Sequence, residues 1–312
     1  MNNSNTLRLT EGAMMIVVFT LLLLIANYIP VLVLPVSLVM TLPFMLYSIK
    51  HPLRYSLILI AAAIGVTGIV SGFLSVFAAL IYGTTGVTIG WMIQQGKSKL
   101  AALAGGTIAF IANMLLLYLG AILLFGINLI DGLFVIINES LNQSLDMVSG
   151  MGSDVTEVGE SIRQSLQVYE LLFPTLFIVT TFIFMWFVFL ISFPIAKRLL
   201  KKELPSFEPF RNLSLPKNVI WYYLIVLLTT LIATPEQGTT FAFMLVNLQL
   251  GFELLMIFQG LAFIHFYGHL KGWNKGLLVI LTILGVLINP LTRILGIIDL
   301  GFDLRKRISV KK

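Results

Sequence analysis

Glu253 is the residue whose setting most constrains its chemistry. It stands at the midpoint of an apolar run from Thr239 to His269, where an ionised carboxylate costs at least about 2.5–3.5 kcal/mol on insertion scales. Gln249 lies one helical turn before it on the same face, and Gln259 follows in the same run. Two readings meet here. In one, Glu253 is a proton- or ligand-linked carboxyl facing a polar pocket. In the other, it is a protonated acid hydrogen-bonded to a second helix, with the mid-membrane amide of Asn113 as its partner. Asn113 taken alone is of the kind that glues helices together in a bilayer. The candidate ligand contacts are therefore Glu253, Gln249, Asn113 and Gln259.

His265 and His269 are four residues apart, a spacing at which two imidazoles can share a metal. Phe266 follows His265, so the zinc-protease pattern with its glutamate base is absent. Histidines that hydrogen-bond at a helix end or meet lipid headgroups account for the pair more simply. The chain has no Gly-rich phosphate loop closing on Lys-Ser or Lys-Thr and no G-x-S-x-G elbow. Neither a catalytic residue nor a cofactor is implied, and an enzyme is not expected.

The elements that must carry these side chains are membrane helices. Of 312 residues, 58% are apolar and only 11% charged, with a mean hydropathy of +0.98, more apolar surface than a water-soluble domain could hide. The absence of cysteine excludes disulfides and thiolate metal sites. The net charge of +6 is spread over short loops between apolar runs, a pattern unlike the basic patch that nucleic acid requires.

Gly12 to Ile29 is expected to be a retained first span, and Pro30, Pro35 and Pro43 should make the second, Val31 to Ile49, short and irregular. Two further spans follow from Tyr55 to Phe73 and from Leu74 to Ile93. The first carries Ala61, Gly65, Gly68 and Gly72, the second Ala79, Gly83, Gly86 and Gly90. Steps of four, three and four residues put each set on one helical face, and a smooth face lets another backbone approach. Both are expected to be packing ridges. Leu100 to Phe125, Leu171 to Ala196, Asn218 to Ala233 and Thr239 to His269 complete eight spans, with a turn from Thr234 to Gly238 before the last. A final apolar run, Gly276 to Ile298, is broken at Asn289-Pro290. The expected fold is all-α and polytopic, with residues 1–200 as a six-helix bundle and 201–312 as a C-terminal membrane extension with a basic tail.

Half of the 14 acidic residues, from Asp131 through Asp154 to Glu170, fall in one interval with Arg163 alone against them. Apolar residues there recur at near-helical spacing, so two amphipathic pieces joined at Gly150-Met151-Gly152 should lie on or just above the membrane. Basic turns at 50–54 and 94–99 and the loop from Lys197 to Lys217 set the orientation. They place the N-terminus in the cytoplasm and the acidic interval outside. The tail through Lys311 and Lys312 is basic too, so the last apolar run has basic residues at both ends; its charge favours a hairpin and its length a ninth crossing, and a hairpin or dipping segment is the expectation.

At Gln259-Gly260-Leu261 and at the tail GIIDLGFDLRKR, Gly296 to Arg307, the sequence resembles the YybS-like family of uncharacterised bacterial membrane proteins. Asp299, Asp303, Arg305 and Arg307 carry the tail match, while Gly301 stands where a bulkier residue is expected. The first six spans resemble the substrate-binding membrane subunits of energy-coupling-factor vitamin transporters. That resemblance implies a bacterial plasma-membrane protein that captures a small molecule from outside, with a coupling module as partner. Those subunits carry an Ala-x-x-x-Ala pair on helix one; here Gly12 and Ala13 start the helix and Ala26 stands alone. The expected function is a transporter-like, small-molecule-binding membrane subunit in contact with the bilayer. The competing class is a scaffold or regulator that binds proteins through its basic cytoplasmic loops.

Overall fold

The computed structural model describes residues 3–150, 156–233, 236 and 238–309, and among them every regular element is helical. Met151, Gly152, Asp154, Thr234, Pro235, Gln237, Lys311 and Lys312 lie outside the described residues. Among the described residues seven helical stretches are long and apolar enough to cross a bilayer. The chain forms two compact units, one of Met1–Ser161 with Phe177–Phe207, the other of Ile162–Leu176 with Glu208–Lys312. The division thus falls at 207 rather than 200, and a piece of the chain before it belongs with the second unit.

In the first unit, α1 (Asn3–Tyr28) is followed by a single 3-10 turn at Pro30–Leu32, then α2 (Val33–Ser37) and α3 (Leu42–Lys50). Pro30 and Pro43 each sit in the first turn of a new helical piece, where a missing N–H costs nothing. The prolines therefore divide the second crossing into short pieces, as their positions foretell. After Pro52 come α4 (Leu53–Ser71), α5 (Ser75–Gln94) and α6 (Lys99–Phe125). Ser98 caps α6 by accepting from the Ala101 N–H at 3.2 Å.

The two glycine ridges have different fates. On α5 the ridge meets backbone: a Cβ added at Gly86 would collide with the Thr41 carbonyl oxygen, and one at Gly90 would lie 2.6 Å from the Met45 carbonyl oxygen. Ala79 is fully buried, and Gly83 receives the side chains of Ile60 and Phe44. On α4 the expectation fails. Ala61 and Gly65 are exposed, nothing lies within 4 Å of a Cβ at Gly65, and Gly68 meets only the Val76 side chain. Gly72, at φ +85°, ends the helix. Four-three-four spacing identifies a face but not its partner. The face of α4 that packs is Ser56, Leu59, Ile60, Ala63 and Thr67, whose larger side chains fill the space beside α5.

The acidic interval forms α7 (Leu129–Gly150) and the start of α8 (Thr156–Leu200). Leu145 of α7 contacts Gly159 of α8, so the two pieces make a hairpin. The second piece is not a separate helix. It continues into the span as one helix of 45 residues, about 68 Å long against a hydrocarbon core of about 30 Å. Beyond α8, Lys99 places its ammonium 4.3 Å from the ring centres of both Phe193 and Phe207, and Phe207 stacks on Trp186. This cation–π contact fastens the loop after α8.

The second unit contains α9 (Asn218–Ala233), α10 (Thr240–Leu270), α11 (Lys275–Leu287), α12 (Asn289–Phe302) and α13 (Leu304–Ser309). With 16 residues, α9 is about 24 Å long and is shorter than the helices of spanning length. The final apolar run is bent by 104° between α11 and α12, with Pro290 in the first turn of α12.

Candidate functional site

α10 is the axis of the second unit. Thr239 starts it by accepting from the Ala242 N–H at 3.2 Å, and no proline or charged pair interrupts its 31 residues. α11 runs back along it: His265 bonds to the Thr282 hydroxyl at 2.7 Å, and the packing of Leu261 on Gly285 lies one turn further along. After the bend, α12 returns in the same sense as α10. Glu253 meets Arg293, the Met256 carbonyl meets Gly296, and Gln259 meets Asp299 across 40 residues of chain; all three pairs share that offset. The last apolar run is therefore re-entrant. It brings Arg305, Lys306 and Arg307 to the end of α10 where Lys271 and Lys275 lie, so the hairpin expectation stands.

Glycines make the return feasible. A Cβ at Gly260 would collide with the Thr292 carbonyl oxygen, and one at Gly296 with the Met256 carbonyl oxygen. This is a closer backbone crossing than that of α5 on α3, and it lies inside the two sequence signatures at Gln259-Gly260 and Gly296 to Arg307.

Two polar clusters flank the crossing. In the first, the Arg293 guanidinium stands 2.6 Å from Glu253 Oε1, with side chains 32% and 22% exposed, and Gln249 Nε2 donates to the same oxygen at 3.0 Å. Asn113 is not the partner of Glu253: its amide donates to Thr84 Oγ1 at 2.7 Å and to the Ala109 carbonyl at 2.6 Å. It is an interhelical tie between α6 and α5. The charge of Glu253 is met by a cation that the sequence reading missed. The signal was present, since Arg293 is a lone cation inside the last apolar run and intramembrane charges are found in pairs.

The second cluster is more deeply buried. Gln259 Nε2 donates to Asp299 Oδ2 at 2.6 Å and to Ser214 Oγ at 3.3 Å, while its Oε1 accepts from the Leu215 N–H at 2.9 Å. Arg305 Nε donates to Asp299 Oδ2 at 3.0 Å, and its Nη1 donates to the carbonyls of Arg211 and Leu213 at 2.9 and 2.8 Å. One guanidinium thus ties α12, α13 and the segment before α9 together. Asp303 pairs instead with Lys217, whose hydrogen bond holds its carboxyl below the usual range, with Lys306 and Arg307 adding to the effect. Arg307 is exposed. His269 is exposed as well and does not join His265. Among the described residues no group of three or more histidine, aspartate and glutamate side chains is placed to hold a metal.

A chain whose described residues form no regular element but helices, seven of them of spanning length beside a bent pair that doubles back, is a polytopic membrane protein. The chain belongs to the predicted membrane protein family DUF2232, whose profile matches residues 17–300. It is 29% identical over 314 residues to the uncharacterised protein YybS of Bacillus subtilis strain 168, covering 97% of this chain and 99% of that one. No solved structure matches.

Proposed function

We propose that the protein handles a small charged solute within the membrane, as a transporter-like binding subunit and not as an enzyme, with the Glu253–Arg293 pair as its solute- or proton-linked element. The observation that carries this reading is the part-accessible ion pair at the middle of α10. Charges left open to hydrocarbon would cost several kcal/mol, so the open face of the pair needs water or a polar solute against it. The surroundings support the same reading. The offset of 40 residues sets Asn289, the first residue of α12, level with Gln249. Secondary transporters bind solutes at such helix breaks near the midplane, where the positive end of a half-helix attracts an anionic group. Arg293 and that helix end suit an anionic group on the solute, and Glu253 is the counter-ion it would displace.

Glu253→Gln keeps the shape of the side chain and loses its charge. It is expected to cost roughly 1–3 kcal/mol of stability, since the Arg293 guanidinium stays behind without its anion. Thermal shift of the purified protein against a panel of small carboxylates, amines and phosphates, repeated from pH 5 to 9, should show solute stabilisation in wild type. Both the shift and its pH dependence should be lost in Glu253→Gln and in Arg293→Gln. Variants that bind and titrate as wild type does would sink the reading and leave the scaffold class.

The same proposal places the chain in a bacterial plasma membrane with its N-terminus in the cytoplasm. The native chain has no cysteine, so single cysteines report cleanly. One at Ser144, exposed on α7, should react with an impermeant thiol reagent in intact cells, and one at Ser206 should react only after lysis. The reverse pattern would invert the orientation.

A further inference from the structure

The first unit has a second arrangement of charge that the proposed solute site does not use. Arg8 and Arg54 converge on the phenol oxygen of Tyr55, at 3.1 and 2.8 Å, and both guanidiniums stand over its ring, 4.9 and 4.6 Å from the centroid. Two cations directed at one neutral oxygen repel each other. Among the described residues neither has a carboxylate within ion-pair distance. Glu11, one turn further along α1, is engaged by Lys50 at 3.0 Å and His51 at 2.7 Å. The pair of arginines thus concentrates two positive charges at one point of the surface, a setting that attracts an anion.

Beneath it a cavity of about 390 Å³ opens between α1, α3 and α4. Gly12, Ala13 and Ile16 line it on α1, Ile58 and Ala62 on α4, and Tyr47 on α3. On both long helices the lining starts at an arginine or its tyrosine partner and runs inward for about eight residues, or about 12 Å. Ala13, Ile58 and Ala62 are exposed on the outer surface of the unit, where hydrocarbon would meet them. Gly12 keeps the floor low, since a Cβ there would already touch Leu59 and Tyr47 at 3.4 Å.

We infer that this groove seats one chain of an anionic phospholipid, with the lipid phosphate held between Arg8 and Arg54. A guanidinium fork matches phosphate geometry, and the apolar lining below it suits an acyl chain and not a water-soluble anion. The headgroup end coincides with the basic turn from Lys50 to Arg54, at the end of α4 where an interface belongs.

Native mass spectrometry of the purified chain, titrated with dioleoyl phosphatidylglycerol or dioleoyl phosphatidylcholine, tests the assignment. Wild type should retain one phosphatidylglycerol per chain with at least about a tenfold preference over phosphatidylcholine. The double variant Arg8→Gln/Arg54→Gln should lose that preference. Ala62→Phe, at an exposed position, should fill the groove and weaken retention of phosphatidylglycerol by about tenfold, while melting as wild type does in detergent alone. Equal retention of the two lipids by wild type would overturn the inference. So would undiminished retention in either variant, or oleate held as tightly as phosphatidylglycerol, which would mark a fatty-acid site.

Discussion

Replacing Gly86 with leucine should abolish folding of the first unit, whereas Gly65→Leu on the neighbouring helix should leave it unchanged. At Gly86 the first added carbon would meet the Thr41 carbonyl oxygen and lie 2.9 Å from Phe44 Cβ. Phe44 is almost fully buried and sits edge-on against Phe19, so it has no free rotamer to retreat to. The backbone of α3 would have to move, and with it the packing of Met45 and Leu46 in the core around Met185 and Phe189. Overpacking a core by a few methylenes costs about 1–3 kcal/mol. A collision with backbone exceeds that, and we expect at least about 4 kcal/mol, the range in which single substitutions are diagnostic. Gly68→Leu should fall between the two, because only the Val76 side chain is in the way and it can turn. Yield of monodisperse protein in size-exclusion chromatography and the melting temperature in detergent check the series. A well-folded Gly86→Leu would show that α5 and α3 do not approach as closely as described.

The contrast between Gly86 and Gly65 marks how far the sequence could be read. Composition and run length were enough for an all-helical membrane protein, and Pro30, Pro43 and Asn289-Pro290 marked the breaks, because a missing N–H acts locally. Small-residue spacing is also local, but its consequence is not. It shows that a face can be approached, and only the tertiary arrangement supplies what approaches it. The same limit explains the polar residues. Glu253 was legible as an anomaly, yet its partner Arg293 lies on the far side of a bend. Asn113, the partner assigned to Glu253 from depth alone, is satisfied by Thr84. Gln259-Gly260 and the tail from Gly296 to Arg307 were legible as two signatures. That they are the two sides of one helix crossing depends on the re-entrant path of α11 and α12, which no short window of sequence contains.

That crossing leads to the second large effect. Arg305→Ala should destabilise the second unit by roughly 3–5 kcal/mol, the usual result of removing one member of a buried ion pair. Asp299 would keep its charge with only 1% of its side chain exposed, and the carbonyls of Arg211 and Leu213 would lose their donor. Gln259 Nε2 would remain as the one described donor to Asp299, too little for a carboxylate in that setting. Arg305→Lys should rescue only part of the loss, since an ammonium cannot reach the carboxylate and both carbonyls as a planar fork does. Asp299→Asn should cost less than either, because its carbonyl can still accept from Gln259 and Arg305, and the guanidinium left without its anion is the more exposed of the two groups, 16% against 1%, and keeps the carbonyls of Arg211 and Leu213. The order Asp299→Asn, Arg305→Lys, Arg305→Ala is the signature of a structural clamp. Trp221 and Trp273 belong to this unit and Trp91 and Trp186 to the other, so tryptophan fluorescence melts of variants keeping one pair at a time can follow each unit separately. Arg305→Ala should lower the transition reported by Trp221 and Trp273 and leave the other in place. If both transitions stay at their wild-type temperatures, the tail does not hold the crossing closed, and the close approach of Gly260 and Gly296 must be maintained by the α10 and α12 side chains alone.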